Sequence, residues 1–141
     1  MALDSWSTKK KLVIVLLVLL AAIPFSLLTE SVPARIQDWV VENKESTWAP
    51  WVQMKLAGLY AWTIRTSKMF DCYVKYVELF GPDNPNYDKE SYMQIEFDMA
   101  VMAGRLRSKT RGLEELSKFI DKYPGTELGR QAEKEKRELL L

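Results

Sequence analysis

From Leu12 to Leu28 every residue is apolar except Ser26, whereas later apolar positions recur at spacings of three and four among charged ones. The unbroken run predicts a transmembrane helix. Its 17 residues, at about 1.5 Å each, reach roughly 25 Å against a hydrocarbon core of about 30 Å. Thr29 and the snorkelling Lys9, Lys10 and Lys11 make up the difference. Pro24 lies far enough along to bend the last turns without preventing a span, and Trp6 suits a headgroup layer. A cleaved signal peptide is the competing reading, with the lysines as its basic start and Val32-Pro33-Ala34 near its cleavage site. The run is longer than the usual apolar stretch of such peptides, so a retained anchor is expected.

Three lysines precede the span, while Glu30, Arg35, Asp38 and Glu42 follow it with a negative balance. The positive-inside rule therefore predicts a single-pass inner-membrane protein with a cytoplasmic N-terminus and a periplasmic or extracellular C-terminal domain. The expected organisation is a cytoplasmic N-terminus over residues 1–11 and a span over 12–29. A short amphipathic connector carrying Ile36, Trp39 and Val40 occupies 30–47, and a helical domain fills 48–141.

The helical domain contains a repeat. At an offset of 43 residues, Val52, Met54, Leu56, Ala57 and Leu59 align with Ile95, Phe97, Met99, Ala100 and Met102. Farther on, Phe70, Tyr73, Tyr76, Val77 and Phe80 align with Leu113, Leu116, Phe119, Ile120 and Tyr123. Each copy reads as two amphipathic helices, with Val52, Leu56, Leu59, Tyr60 and Thr63 on one face of the first. Phe70, Tyr73, Val77 and Phe80 form the matching stripe of the second. Gly81-Pro82 and Pro124-Gly125 end the second helices, and Asp88 and Thr126 are natural N-caps for the helices that follow. A charged last helix, from about Glu127 to Leu139, suits a cap on the array. No segment alternates with period two, so the predicted class is all-α.

The stretch Phe119-Ile120-Asp121-Lys122-Tyr123-Pro124-Gly125-Thr126-Glu127-Leu128, followed by Ala132, resembles the tetratricopeptide-type repeats of bacterial cell-envelope scaffolds. The strong match covers residues 114–132. The resemblance implies protein or peptide binding without catalysis. A unit of 43 residues rather than about 34 implies a longer loop between the two helices of each copy. The first copy also has Gly81-Pro82-Asp83 where the second has Pro124-Gly125-Thr126.

Composition narrows the chemistry. Histidine is absent and Cys72 is the only cysteine, which removes imidazole relays, Cys/His metal sets and intrachain disulfides. A net charge of +1 gives no reason to expect nucleic acid. Asp83-Asn84-Pro85-Asn86-Tyr87-Asp88 is rich in oxygens but lacks the glycine and terminal acid of a calcium loop, so a capped turn is expected. No cofactor, metal or catalytic residue is predicted.

The copies differ most usefully at Trp51, Trp62, Cys72 and Leu79, which stand where the second copy has Gln94, Arg105, Glu115 and Lys122. If the copies fold alike, these four form an exposed apolar patch for a partner protein or a membrane surface, or pack on the Trp39 helix. Arg105, Arg107, Lys109 and Arg111 are expected in a solvated loop, with contact to lipid headgroups or an acidic partner as the functional alternative. The expected function is a membrane-anchored extracytoplasmic scaffold that binds other protein subunits. The alternative is a single-span accessory subunit of a respiratory, photosynthetic, secretory or motor complex.

Overall fold

Helices form wherever apolar residues repeat at three and four. The computed structural model describes residues 29–141. The span expected at Leu12–Leu28 lies outside them, and among the described residues no helix is long and apolar enough to cross a membrane. The described helices are α1 (Ser31–Glu42), α2 (Ala49–Trp62), α3 (Thr66–Leu79), α4 (Lys89–Leu106), α5 (Lys109–Lys122) and α6 (Glu127–Leu140), with no strand among the described residues.

The chain separates into residues 1–38 and 39–141, a boundary inside α1. In the first unit the Ala34 N–H donates to the Glu30 carbonyl at 3.0 Å, opening α1. In the second unit each helix packs on the next from α2 to α6, and α6 also touches α4. That is the nearest-neighbour arrangement of a helical repeat.

The repeat is visible in the element boundaries. α3 runs from 66 to 79 and α5 from 109 to 122, so both ends are offset by 43 residues. Tyr76 and its counterpart Phe119 are both buried. Asp88 and Thr126 cap α4 and α6 as expected, accepting from the N–H groups of Ser91 and Gly129. The extra length of the unit is not between the helices of a copy, however. Those links are only 63–65 and 107–108, and the long segment, 80–88, joins the two copies.

That segment explains the Asx-rich stretch. The Asn84 side-chain amide donates to the carbonyls of Leu79 and Lys44, at 2.9 and 3.1 Å. The Asn86 amide donates to those of Glu45 and Ser46, at 3.0 and 3.1 Å. The two side chains thus tie the inter-copy link to the residues preceding α2.

One core cluster joins Val40, Ala49, Tyr76, Phe80, Tyr92 and Ile95, and another joins Ala100, Leu116, Phe119 and Ala132. The buried side of α3 is rotated from the predicted stripe. Cys72, Tyr76 and Phe80 are the buried residues, while Phe70, Tyr73 and Val77 are half-buried. The reason is that α3 packs against both α2 and α4, so two stripes of one helix are covered.

α4 and α5 approach backbone to backbone at Gly104 and Gly112. A methyl group at Gly112 would lie 2.4 Å from the Gly104 Cα and 2.9 Å from its nitrogen.

Candidate functional site

The same rotation leaves one side of α3 facing a groove. Phe70, Val74 and Val77 of α3, Met99, Ala100 and Ala103 of α4, and Phe119 of α5 give it an apolar lining. Its volume is about 1020 Å³. The short link 107–108 holds α5 close to α4, and the Ser108 hydroxyl caps α5 by accepting from the Arg111 N–H at 3.1 Å.

The polar lining is mainly cationic: Arg107, Arg111, Lys118 and Lys122 against Glu96 and Glu115. On α5, Arg111 and Lys118 bracket Glu115 at 3.1 and 3.2 Å. Across the groove Lys122 Nζ meets both Glu96 oxygens, at 2.7 and 2.9 Å. The Tyr123 hydroxyl donates to the same carboxylate at 2.5 Å. Burial opposes the charge on Lys122, but the hydrogen bond and attraction of Glu96 hold its pKa above the ordinary lysine value. The Tyr123 phenol is pushed up to about 12, first by burial and then by its bond to Glu96. Arg107 lies over the Phe70 ring, 5.8 Å from its centre, a favourable cation–π position.

These groups are suited to binding. The polar side chains cross-link one another around an apolar surface, and among the described residues no group of histidine, cysteine or carboxylate side chains is placed to hold a metal ion.

The chain matches no family model, no curated protein and no solved structure.

The residues singled out from the sequence divide between two places. Arg107 and Arg111 line the groove, whereas Arg105 and Lys109 are exposed outside its lining. None of the four sits in a long loop. Arg105 is in the last turn of α4, Arg107 follows it, and Lys109 and Arg111 open α5.

Trp51 and Trp62 are 55% and 73% exposed, on α2. Cys72 and Leu79 do not join them. Cys72 is buried, with its carbonyl accepting from the Gln53 side-chain amide at 2.9 Å. Burial and then the nearby Asp71 charge push its thiol up to about 11, so it stays protonated near neutrality. Leu79 is half-buried against the core cluster of Tyr76 and Phe80. The comparison between copies misleads at these two positions for a simple reason. Glu115 and Lys122 are long enough to carry their charged ends out of positions where a short apolar side chain stays covered.

Sequence reasoning assigned no site role to Glu96 or Lys118 and took Lys122 only as the counterpart of Leu79. Glu96 had a signal. It occupies the repeat position of Gln53, a fully buried polar residue on the inward side of α2.

α2 ends in a second unusual feature. The Ile64 N–H donates to the Ala61 carbonyl at 3.1 Å, and the Arg65 N–H to that of Tyr60 at 2.8 Å. This is the Schellman ending, whose left-handed residue is usually glycine. Here it is Ile64, with φ +59° and 88% exposure. A left-handed conformation costs a residue with a Cβ roughly 1–2 kcal/mol.

Proposed function

We propose that this chain is a membrane-anchored helical-repeat scaffold that holds another protein by a segment laid into the groove between α3, α4 and α5. The groove carries the reading, because it joins an apolar floor to a rim of fixed charges. Partner surfaces combine a desolvated apolar centre with a polar edge in the same way. The excess of cations favours a segment with apolar anchors flanked by carboxylates or ending in one. The anchor and its orientation rest on the apolar run Leu12–Leu28 and the lysines before it. On this reading the groove lies outside the cytoplasm, in reach of other envelope or membrane proteins. The resemblance of the segment 114–132 to tetratricopeptide-type scaffolds likewise implies protein or peptide binding.

The test is charge reversal at the rim. Arg107 and Lys118 are exposed, so the double substitution Arg107→Glu and Lys118→Glu leaves the helices folded. It is expected to weaken binding of the protein that co-purifies in mild detergent by about tenfold or more, mainly through slower, salt-dependent association. Unchanged binding with an intact helical spectrum overturns the groove as the partner site.

A further inference from the structure

The exposed side of α2 contributes nothing to the groove and has its own chemistry. Along this helix Trp48, Trp51, Lys55, Gly58 and Trp62 follow one another at three- and four-residue spacing, all exposed. Trp48, Trp51 and Trp62 are 66%, 55% and 73% exposed, and Ile64 follows at 88%. Taking about 200 Å² for each large side chain, the uncovered apolar area is on the order of 500 Å². An apolar patch of that size is often a contact surface.

Lys55 is the sole charge of α2, and its ammonium lies 5.3 Å from the centre of the Trp51 ring. From Ser46 to Phe70 there is no carboxylate, while Lys55, Arg65 and Lys68 are cations. The equivalent positions of the second copy, Gln94 and Arg105, carry polar side chains.

We infer that this face of α2, continued by Ile64, lies in the surface of an anionic lipid bilayer. Four observations select lipid as the occupant. Apart from Gln53 on its buried side and Lys55 on its exposed side the helix is apolar, so it buries one side in its own domain and still presents large apolar side chains outward. Its 14 residues extend about 21 Å, too short to span a hydrocarbon core of about 30 Å, so it can only lie along the surface. The exposed large residues are mainly tryptophans, whose indoles favour headgroup depth. Lys55, on the same side as the tryptophans, and Arg65 and Lys68, which follow it in the chain, match the negative surface potential of anionic lipids.

Ile64 adds an independent reason. Glycine fits its backbone conformation better, yet a branched apolar side chain projects there almost fully exposed. That side chain has a use outside the domain, as an anchor beside Trp62. The inference depends on neither the groove nor the N-terminal anchor.

The test uses the full chain reconstituted into vesicles of phosphatidylcholine and phosphatidylglycerol. The chain has five tryptophans, at positions 6, 39, 48, 51 and 62. In one variant Trp62 alone is kept and the other four are changed to Phe. In a second only Trp51 is kept, and in a third only Trp6. Bromine on the lipid chains, near the headgroup or near the bilayer centre, quenches an indole that touches it. Trp51 and Trp62 are each expected to lose about half of their emission or more with shallow bromine and clearly less with deep bromine, since an interfacial helix sits roughly 5–10 Å into the boundary. Omitting phosphatidylglycerol should reduce the loss, and Ile64→Gly, which relieves the backbone, should reduce it at Trp62 while helicity is kept. Absence of quenching at Trp51 and Trp62 overturns the inference whatever Trp6 reports. If their emission is then blue-shifted, the face is covered by protein, either a partner or a second copy of the chain. If it is water-like, the face is bare.

Discussion

Replacing Gly112 by alanine puts the packing of α4 on α5 to a direct test, because one methyl group changes and two opposing terms can be compared. In an exposed helix interior, alanine is better than glycine by about 1 kcal/mol. At Gly112 the added carbon would sit 2.4 Å from the Gly104 Cα, whereas carbon atoms rest at about 3.5–4.0 Å. Leu139 of α6 lies on the same spot, 3.2 Å from the added atom, so no free direction remains. The helices must part by roughly 1 Å, an overpacking that costs about 1–3 kcal/mol. The clash cancels or outweighs the propensity gain, and a net loss of up to about 2 kcal/mol is expected. For a domain of this size that lowers the melting temperature by up to roughly 15 °C. Gly58→Ala is the internal control, because nothing lies within 4 Å of a methyl group there. It should stabilise by about 0.5–1 kcal/mol. Melting of the full chain in mild detergent, followed by circular dichroism, separates the two. If Gly112→Ala stabilises as Gly58→Ala does, α4 and α5 do not cross at these glycines and the groove beside them has another shape.

Tyr76→Ala and Phe119→Ala should each cost about 3–5 kcal/mol in urea unfolding, as equivalent buried aromatics; a tolerated substitution at either breaks the equivalence of the copies. Asp98 is half-buried, and its pKa is raised by burial against a smaller opposing effect of the Gln94 amide, which donates to it at 3.0 Å. The folded state therefore holds the proton longer than the unfolded state, and stability falls as pH rises from the ordinary aspartate value of 3.8 through the raised pKa. Asp98→Asn should stabilise the chain at pH 7 and leave it unchanged near pH 3; an equal effect at both values refutes the assignment. For topology, protease added to intact spheroplasts should digest the domain, and protection until lysis would reverse the predicted orientation.

The sequence was most legible where local chemistry decides structure. The caps Asp88 and Thr126, the stops after α3 and α5, and the 43-residue offset between these helices could all be read from residue types and spacing. The rotation of α3 could not. Periodicity reports that a helix has an apolar side, but α3 has two covered sides, and only the packing of α2 and α4 decides between Cys72–Tyr76 and Phe70–Val77. The groove was hidden for a related reason. It gathers side chains from three helices, and Glu96 and Lys122, which meet across it, are 26 positions apart. Arg107 and Arg111 stood out as a charge run, but their surroundings did not. Ile64 also escaped notice, because an isoleucine gives no sign of positive φ when the residue usually found there is glycine.

Occupation of the groove by a segment of another protein is tested by site-specific photo-crosslinking of the full chain in the cells that make it. A photoreactive residue at Val74 lies in the groove lining, and the same residue at the exposed Glu133 of α6 lies outside it. One discrete adduct is expected from Val74, mapped to a single acidic and apolar segment of one protein, lost when Arg107 and Lys118 are reversed and absent from Glu133. No adduct at Val74, or the same adducts from both positions, would contradict it.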